Sequence, residues 1–122
     1  MSARTALRVY VAAPYTSDPE ANTDQAIEAG DRLLDLGYAP FVPHLAHYWH
    51  TLHTERPYGD WMRLDLAWLE AADVLLRLPG DSAGADREVE RAKELGIPVV
   101  ASVADLIRVV PRGPGEAQEG SQ

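Results

Sequence analysis

The segment 60–72 carries an aspartate where its pattern predicts an apolar surface. Drawn as a helix with about 100° per residue, it places Trp68 and Ala72 within roughly 20° of Trp61. Asp65 falls inside this arc, at about 40°, whereas the other charged side chains nearby fall on the opposite side. A carboxylate in an apolar arc is costly to desolvate unless it is paired or hydrogen-bonded. Asp65 is therefore either a structural buried acid or a group kept for chemistry.

The segment 85–95 shows the same anomaly on a narrower stripe. Small and apolar residues, including Val89 and Ala92, line one side, and Glu88 falls about 60° from its centre. It is the one acid of this segment on the predicted buried flank. Taken alone, Glu88 would be a boundary residue that reaches outward or pairs with Arg91 three positions later.

Two partly desolvated acids on helices of one sheet predict a site more strongly than either does alone. Glycosyl transfer uses such a pair, with one carboxylate as nucleophile and the other handling protons. Ser82 and Gly84 come directly before Glu88, at the start of a helix that follows a strand. Backbone N–H groups at such a start favour an anion, but Ser-x-Gly is by itself a weak signal and we favour a plain N-cap for the serine.

The four histidines fall within ten residues at a constant spacing of three, as His44, His47, His50 and His53. Steps of three rotate by about 300° on a helix, so the first and last would face opposite sides. His47 and His50 could share a metal ion with a carboxylate. With Tyr48 and Trp49 between them, the same residues suit a flap over a base or sugar, or a structural role. We favour the flap or structural role and predict no metal site.

Short apolar runs bounded by proline or glycine predict the elements that position these residues. Strands are predicted at 7–13, 38–42, 73–78 and 97–101. Helices are predicted at 22–36, at 60–72 with Asp60 as N-cap, and at 85–95, with a partly helical segment at 44–59 and a helix or last strand at 103–110. Strands that alternate with helices indicate a single α/β domain over 1–110 with a parallel sheet, followed by a disordered tail at 111–122. Ligands of such sheets bind at the carboxyl ends of the strands, here the loops 13–20, 43–59 and 79–84.

Composition sets limits on the class of protein. The 122 residues include 11 Lys plus Arg, 19 Asp plus Glu and no cysteine, for a formal net charge of −8. This balance argues against a nucleic-acid polymer as partner, and the lack of cysteine excludes disulfides, thiolate metal sites and a cysteine nucleophile. No apolar run is long enough to cross a bilayer, and the first residues lack a signal-peptide pattern. We therefore expect a cytoplasmic domain without a membrane partner.

Three blocks of sequence resemble the nucleoside 2-deoxyribosyltransferase superfamily, which includes the deoxyribonucleoside 5′-monophosphate N-glycosidases. The blocks are Tyr10–Pro14, the run from Asp65 to Asp73, and Ser82-Ala83-Gly84 continuing through Glu88 to Ala92. The resemblance covers about residues 7–101. Its most specific part is the third block, with the pattern Ser-x-Gly-x-x-x-Glu-x-x-x-Ala.

The resemblance implies a flavodoxin-like three-layer sandwich with a four- to five-stranded parallel sheet, assembled as a homo-oligomer, either a dimer or a tetramer. Glu88 matches the nucleophile that forms a glycosyl-enzyme, Asp65 the acid that positions the sugar or protonates the leaving base, and Tyr10 the tyrosine that orients the nucleophile. No metal or organic cofactor is implied. The residues expected to bind a small-molecule nucleoside or nucleotide are Pro14, Tyr15, Ser82, Gly84 and His47.

The sequence departs from the monophosphate glycosidases in its first loop, 14–17, which lacks their arginine. The histidine-rich stretch is closer to uncharacterised bacterial and phage relatives. We expect an N-glycosidase or N-deoxyribosyltransferase that acts on a nucleoside or its 5′-monophosphate. The competing hypotheses are a catalytically silent nucleotide-binding or sensing module and, as the weakest, a metal-dependent hydrolase built on His47 and His50.

Overall fold

The computed structural model describes residues 6–109, so the predictions for position 110 and for the tail at 111–122 lie outside the described residues. The strands are β1 (Arg8–Ala12), β2 (Ala39–Phe41), β3 (Val74–Arg77) and β4 (Val99–Val100). The helices are α1 (Pro19–Asp35), α2 (His47–Leu52), α3 (Tyr58–Leu69), α4 (Ala83–Glu94) and α5 (Val103–Val109), and a 3₁₀ turn occupies Pro43–Ala46. Within this range, no helix has the length and apolarity that a membrane crossing requires.

The four strands form one parallel sheet in the order β2-β1-β3-β4. Every connection between parallel neighbours must cross over the sheet, and helices fill these crossovers. The predicted flavodoxin-like three-layer α/β fold is confirmed. The segment 103–109, predicted as a helix or a last strand, is a helix, so the described part of the sheet has four strands rather than five.

Two apolar clusters, one on each face of the sheet, hold the helices in place. Leu33 of α1 and Leu106 of α5 pack with Val9, Val11 and other strand residues on one face. Leu69 of α3 and Ala85 and Ala92 of α4 pack with Tyr10, Ala12 and Leu75 on the other. Since successive strand residues point to opposite faces, β1 sends Val9 to one cluster and Tyr10 to the other. The second face therefore carries both helices that hold the acidic candidates.

Helix starts differ from prediction by two or three residues. α1 begins at Pro19 rather than at position 22, because the Asp18 side chain accepts the Ala21 N–H (3.3 Å) and proline suits a first helical turn. The prediction that Asp60 caps α3 is wrong, since this helix begins after Pro57 and Asp60 lies in its first turn. The N-cap role considered for Ser82 is confirmed at the start of α4.

The apolar arc predicted for α3 is partly wrong. Trp61 is buried, but Trp68 is 56% exposed and stacks on Phe41 of β2, with ring centroids 6.0 Å apart. The face that packs against the sheet includes Leu66 and Leu69, whereas buried Met62 lies near Gly84 and lines the cavity. Trp68 lies against the edge strand β2, where no element among residues 6–109 covers it fully.

Strand β2 forms one edge of the sheet. The N–H of Ala39 donates to the carbonyl of Leu7 (2.8 Å). The backbone N–H and C=O groups of the odd-numbered residues of β2 therefore point toward β1. Pro40, the residue between them, pairs in register with Val9. Its nitrogen consequently lies on the side of β2 away from β1.

Candidate active site

A cavity of about 570 Å³ opens at the carboxyl ends of the strands. Its walls come from the loops that follow β1, β2 and β3 and from α3 and α4, which agrees with the loops predicted from the parallel-sheet rule. The lining residues used below are Tyr15, His44, His47, His50, Tyr58, Trp61, Asp65, Ser82, Gly84, Arg87 and Glu88. Both acids singled out by their helix positions therefore face the same cavity.

Glu88 is buried in the second turn of α4, with 6% of its surface exposed. The hydroxyl of Tyr10, a fully buried residue of β1, donates a hydrogen bond to its Oε2 atom over 2.8 Å. This bond joins residues 78 positions apart in the chain and fixes one carboxylate oxygen. The second oxygen is left without a hydrogen-bond partner among residues 6–109, and Glu88 lines the cavity.

Burial has the largest effect on the pKa values of Glu88 and Tyr10. Removal from water raises the pKa of Glu88 to about 8, and Asp65 adds to the rise, while the Tyr10 hydrogen bond and the charge of Arg77 oppose it. Burial also raises the pKa of Tyr10, with further contributions from the charges of Glu88 and Asp65. Tyr10 thus remains a hydrogen-bond donor throughout the physiological pH range.

Asp65 lies on α3, is partly buried, and lines the cavity with Glu88. Burial raises its pKa to about 6. As the pH rises, Asp65 therefore ionises before Glu88. Two carboxyl groups that line one cavity and have different pKa values can take different roles in acid–base chemistry.

Arg77, the last residue of β3, organises the loop that leads to α4. Its guanidinium donates to the carbonyls of Leu78 and Gly80 and forms an ion pair with Asp86 (3.0 Å). Gly80 has a positive φ of 120°, and a Cβ there would come within 2.7 Å of the Pro14 ring. Glycine is thus required for the loops after β1 and β3 to approach each other.

One corner of the cavity carries hydroxyl groups and a guanidinium. A Cβ on Gly84 would lie 2.9 Å from the hydroxyl of Tyr58 and 3.9 Å from that of Ser82, so both hydroxyls adjoin this glycine. The Ser82 hydroxyl also accepts the Ala85 N–H (3.0 Å) as the N-cap of α4. The guanidinium of Arg87 lies 5.9 Å from the centre of the Tyr58 ring, and it forms no ion pair with the described residues.

Three of the four histidines surround Tyr15 in another part of the lining. The Tyr15 hydroxyl lies 2.8 Å from Nδ1 of His47, and Nε2 of His44 lies 2.8 Å from the Pro14 carbonyl oxygen. His50 stacks on Trp61 with ring centroids 3.8 Å apart. No group of three potential ligands within residues 6–109 is arranged to hold a metal ion.

Most of the residues expected to act together line one cavity. Asp65, Glu88, Tyr15, Ser82, Gly84 and His47 line it directly. Tyr10 reaches it through its hydrogen bond to Glu88. Pro14 is not among the lining residues, and it contributes its carbonyl to His44 and its ring to the Gly80 contact.

Sequence reasoning missed several lining residues, chiefly Tyr58, Trp61, Met62 and Arg87. Helical periodicity predicts an apolar arc around Trp61 and gives no sign that Met62 or Arg87 would line the cavity. The available signal was position, because Arg87 immediately precedes Glu88 in the loop–helix block. No local pattern indicates that Tyr58 would lie over Gly84.

Residues 7–102 match a protein-family model described as a domain of unknown function, DUF7768. The match spans most of the chain, which therefore belongs to this family. No curated protein matches the chain. The likeness to nucleoside 2-deoxyribosyltransferases stays a prediction that rests on the three sequence blocks.

Proposed function

We propose that this member of the DUF7768 family cleaves the N-glycosidic bond of a nucleoside or nucleoside 5′-monophosphate through a covalent glycosyl-Glu88 intermediate. The observation that carries the proposal is the Tyr10–Glu88 hydrogen bond at a cavity that Asp65 also lines. A carboxylate oriented by a neutral donor, with a second carboxyl of different pKa nearby, is the equipment of double displacement at an anomeric carbon.

In the first step, ionised Glu88 attacks the anomeric carbon and forms a C–O bond while the C–N bond breaks. The electron pair of that bond departs with the base, which takes a proton as it leaves. Tyr10 holds Oε2 and leaves the other oxygen for attack. Ionised Asp65 orients the sugar, and the base takes its proton from water or, in the minor state in which Glu88 rather than Asp65 is ionised, from Asp65.

In the second step, water or the nitrogen of another base attacks the anomeric carbon and releases Glu88. Water as acceptor gives hydrolysis, and a second base gives transfer. Both steps invert the anomeric carbon, so the overall reaction retains its configuration. Because the attacking form of Glu88 is the carboxylate, the rate is expected to increase as the pH rises toward about 8.

The corner formed by Tyr58, Ser82 and Arg87 supports a phosphorylated substrate. Arg87 supplies a positive charge at the cavity of a chain whose formal net charge is −8. Guanidinium groups bind phosphate through charge-assisted hydrogen bonds, and hydroxyls add further donors. Arg87 lies in α4. The monophosphate glycosidases carry their arginine in the first loop instead, and the first loop of the present sequence has none.

The test is release of free base from a panel of nucleosides and 5′-monophosphates, followed by chromatography at about pH 8. Wild-type protein is expected to release base from at least one compound, and Glu88→Gln is not. Glu90→Gln serves as the matched control, because Glu90 is an exposed residue of the same helix. If no compound yields base with folded wild-type protein, or if Glu88→Gln retains full activity, the enzyme proposal is wrong.

A catalytically silent nucleotide-binding module is the second candidate, and one observation favours it. Burial of Glu88 raises its pKa to about 8, which favours the protonated form, and a protonated carboxyl does not act as a nucleophile. In this case nucleotides would raise the melting temperature without losing their base at any pH between about 6 and 9. The panel above, run with thermal shift in parallel, separates the two functions.

The partners proposed for either function are a small nucleoside or nucleotide and further copies of the chain, as a dimer or tetramer. Light scattering coupled to size-exclusion chromatography tests the assembly, for which a mass of one chain would be the contrary result.

A further inference from the structure

Helix α3 carries a second apolar face in addition to the one that packs on the sheet. Leu69 belongs to the apolar cluster against the sheet, whereas Leu64, Ala67 and Trp68 follow helical spacings of three and four residues on another side. Ala67 and Trp68 are exposed, and Leu64 is half-buried. We call these three residues, with the adjoining Phe41 of β2, the α3 outer face.

The tryptophan of this face is held in a defined position although more than half of it is exposed. Its ring stacks on that of Phe41, with centroids 6.0 Å apart. Phe41 is itself anchored, since its ring centroid lies 5.7 Å from that of Tyr10, which is fully buried. A side chain that is already ordered loses little freedom on binding, and tryptophan is enriched among the residues that dominate interface energies. The α3 outer face is therefore suited to a protein partner.

The charge distribution favours this face over the opposite one for contact between copies of the chain. Two copies with a formal net charge of −8 repel each other. Helix α1, on the other face of the sheet, exposes a row of acids at spacings of three and four, namely Glu20, Asp24, Glu28, Asp31 and Asp35. The α3 outer face has no charged member, and its polar flank balances Arg63 against Glu70. Repulsion between copies is therefore weaker at the α3 outer face than at α1.

Arg63 and Glu70 lie on one flank of the α3 outer face. Glu70, the C-cap of α3, keeps helical backbone angles, so the two residues are about 20° apart around the helix and about 10 Å apart along it. Arg63 pairs with Asp60 at 3.0 Å, and Glu70 lies 3.8 Å from Arg91. Both side chains are largely exposed, so each can also bind an opposite charge on another molecule.

A two-fold axis makes this flank complementary to itself. When two copies of α3 pack antiparallel, such an axis at the level of Ala67 places each flank against the same flank of the other copy, with the chain direction reversed. Arg63 of each copy then lies within one residue of the level of Glu70 of the partner subunit. The small side chain of Ala67 lets the two helix axes approach to about 8 Å. Charge complementarity therefore identifies a second copy as the partner that fits this face.

We propose that a second copy of this chain docks on the α3 outer face, with the two α3 helices antiparallel across a two-fold axis at the level of Ala67. This surface specifies the assembly proposed above, and it does not depend on the proposed reaction. Asp65 follows Trp68 by about 60° around α3, so the interface borders the helix that forms a wall of the cavity.

Sedimentation velocity of the full chain at about 1–100 μM tests this surface, because this range covers the dissociation constants of weak specific interfaces. Wild-type protein is expected to form a dimer. Trp68→Glu places an unpaired charge in the interface and should raise the dissociation constant by at least about 100-fold, which gives monomers. Leu34→Glu, the matched control on α1 at a side chain that is 60% exposed, should leave the dimer intact.

Ala67→Arg disrupts the same surface without touching the stack of Trp68 on Phe41. Arginine is a good helix former, and Ala67 is exposed, so this variant should fold and give monomers even if Trp68→Glu does not fold. Circular dichroism checks the fold of each variant. Wild-type protein that stays monomeric over the whole range, or a folded Ala67→Arg protein that remains dimeric, overturns the proposal.

Exchange of the flanking charges tests the two-fold arrangement itself. Arg63→Glu sets acids against each other across the axis and should weaken the dimer by about tenfold. Arg63→Glu/Glu70→Arg restores opposite charges on facing flanks and should return the dissociation constant to within about threefold of wild type. A double variant that is as weak as Arg63→Glu contradicts the antiparallel arrangement. Base release is measured separately, so failure of this surface leaves the proposed reaction standing.

Discussion

The acidic wall of the cavity, formed by β1, α3 and α4 with Tyr10, Asp65 and Glu88, differs from the histidine wall at 43–52 in what holds it. Tyr10 and Leu69 of the acidic wall belong to the apolar core and are fully buried. The histidine wall has a short helix with no buried residue; it packs against α1 and is further held by hydrogen bonds of His44 and His47 and by ring contacts with Trp61. Core packing fixes the position of groups that need accurate orientation, whereas polar contacts allow movement.

The two walls also respond to pH in opposite directions. Burial raises the pKa values of Asp65 and Glu88, so the acidic wall is more stable at low pH, where both acids are protonated. Burial lowers the pKa values of His44 and His50, so the histidine wall is more stable at higher pH, where both imidazoles are neutral. We therefore expect both walls to be intact at intermediate pH.

Loss of the nucleophile tests the acidic wall most severely. If the proposed reaction holds, Glu88→Gln lowers base release by about three orders of magnitude or more, since no other group replaces the covalent step. The initial rate of base release at saturating substrate measures the effect. Glu90→Gln should retain the wild-type rate, and a comparable loss in that control would indicate a structural cause.

Truncation of one leucine in each wall compares their contributions to stability. Leu69→Ala removes a fully buried side chain of α3 and is expected to cost about 2–5 kcal/mol of unfolding free energy. Leu52→Ala in α2, where the side chain is 59% exposed, should change it by less than about 0.5 kcal/mol. Urea denaturation measures both values. Similar losses in the two variants would show that the histidine wall is packed as firmly as the acidic wall.

The contribution of the two buried acids to the unfolding free energy should decrease as the pH rises from about 5 to about 9. The folded pKa values of Asp65 and Glu88 lie above their ordinary values, so the folded state binds more protons and loses this advantage as they ionise. Glu88→Gln should abolish most of the loss and be more stable than wild type at pH 9 by about 2 kcal/mol. Urea midpoints across this range provide the measurement. A variant whose pH dependence equals that of wild type would exclude Glu88 as the cause.

Removal of the Tyr10 hydroxyl tests how this group controls the pKa of Glu88. Tyr10→Phe deletes the hydrogen bond that lowers the pKa of Glu88, so this pKa should rise. We expect base release near pH 7 to decrease by about tenfold, with the ascending limb of kcat/KM displaced to higher pH. A uniform loss at every pH, without displacement, would point to a packing defect instead.

Arg87→Ala should have the smallest effect and a selective one. The KM for a 5′-monophosphate is expected to increase by about tenfold or less, while the KM of the matching nucleoside stays unchanged. Arg91→Ala, which removes an arginine of the same helix that pairs with Glu70 and Glu94, is the control. Equal changes for nucleotide and nucleoside would contradict phosphate recognition by this corner.

The sequence was sufficient to predict those features that depend on local periodicity. The inward position of Glu88 could be predicted because α4 has a narrow stripe of small residues that fixes its orientation on the sheet. Trp68 could not be placed, since helical spacing does not reveal where the sheet ends. The Tyr10–Glu88 bond spans 78 positions, and only the family resemblance indicated it.

The histidine cluster shows the same division. The prediction that His44 and His53 face opposite sides of one helix is wrong, because His44 lies in the 3₁₀ turn, His53 follows the end of α2, and both line the cavity. The position of Tyr15 among three imidazoles depends on how the loop after β1 meets the segment after β2. Such a meeting of distant loops is set by the tertiary fold rather than by local sequence.

The edge strand β2 has a consequence for how copies of this chain can associate. The outward side of Pro40 offers no N–H, so a strand added from another molecule would lack a donor at the middle of this three-residue edge. Proline at this place protects the sheet from continuing into a neighbouring chain and so opposes aggregation by strand addition. Any stable assembly at this side must therefore form through side chains rather than by extension of the sheet.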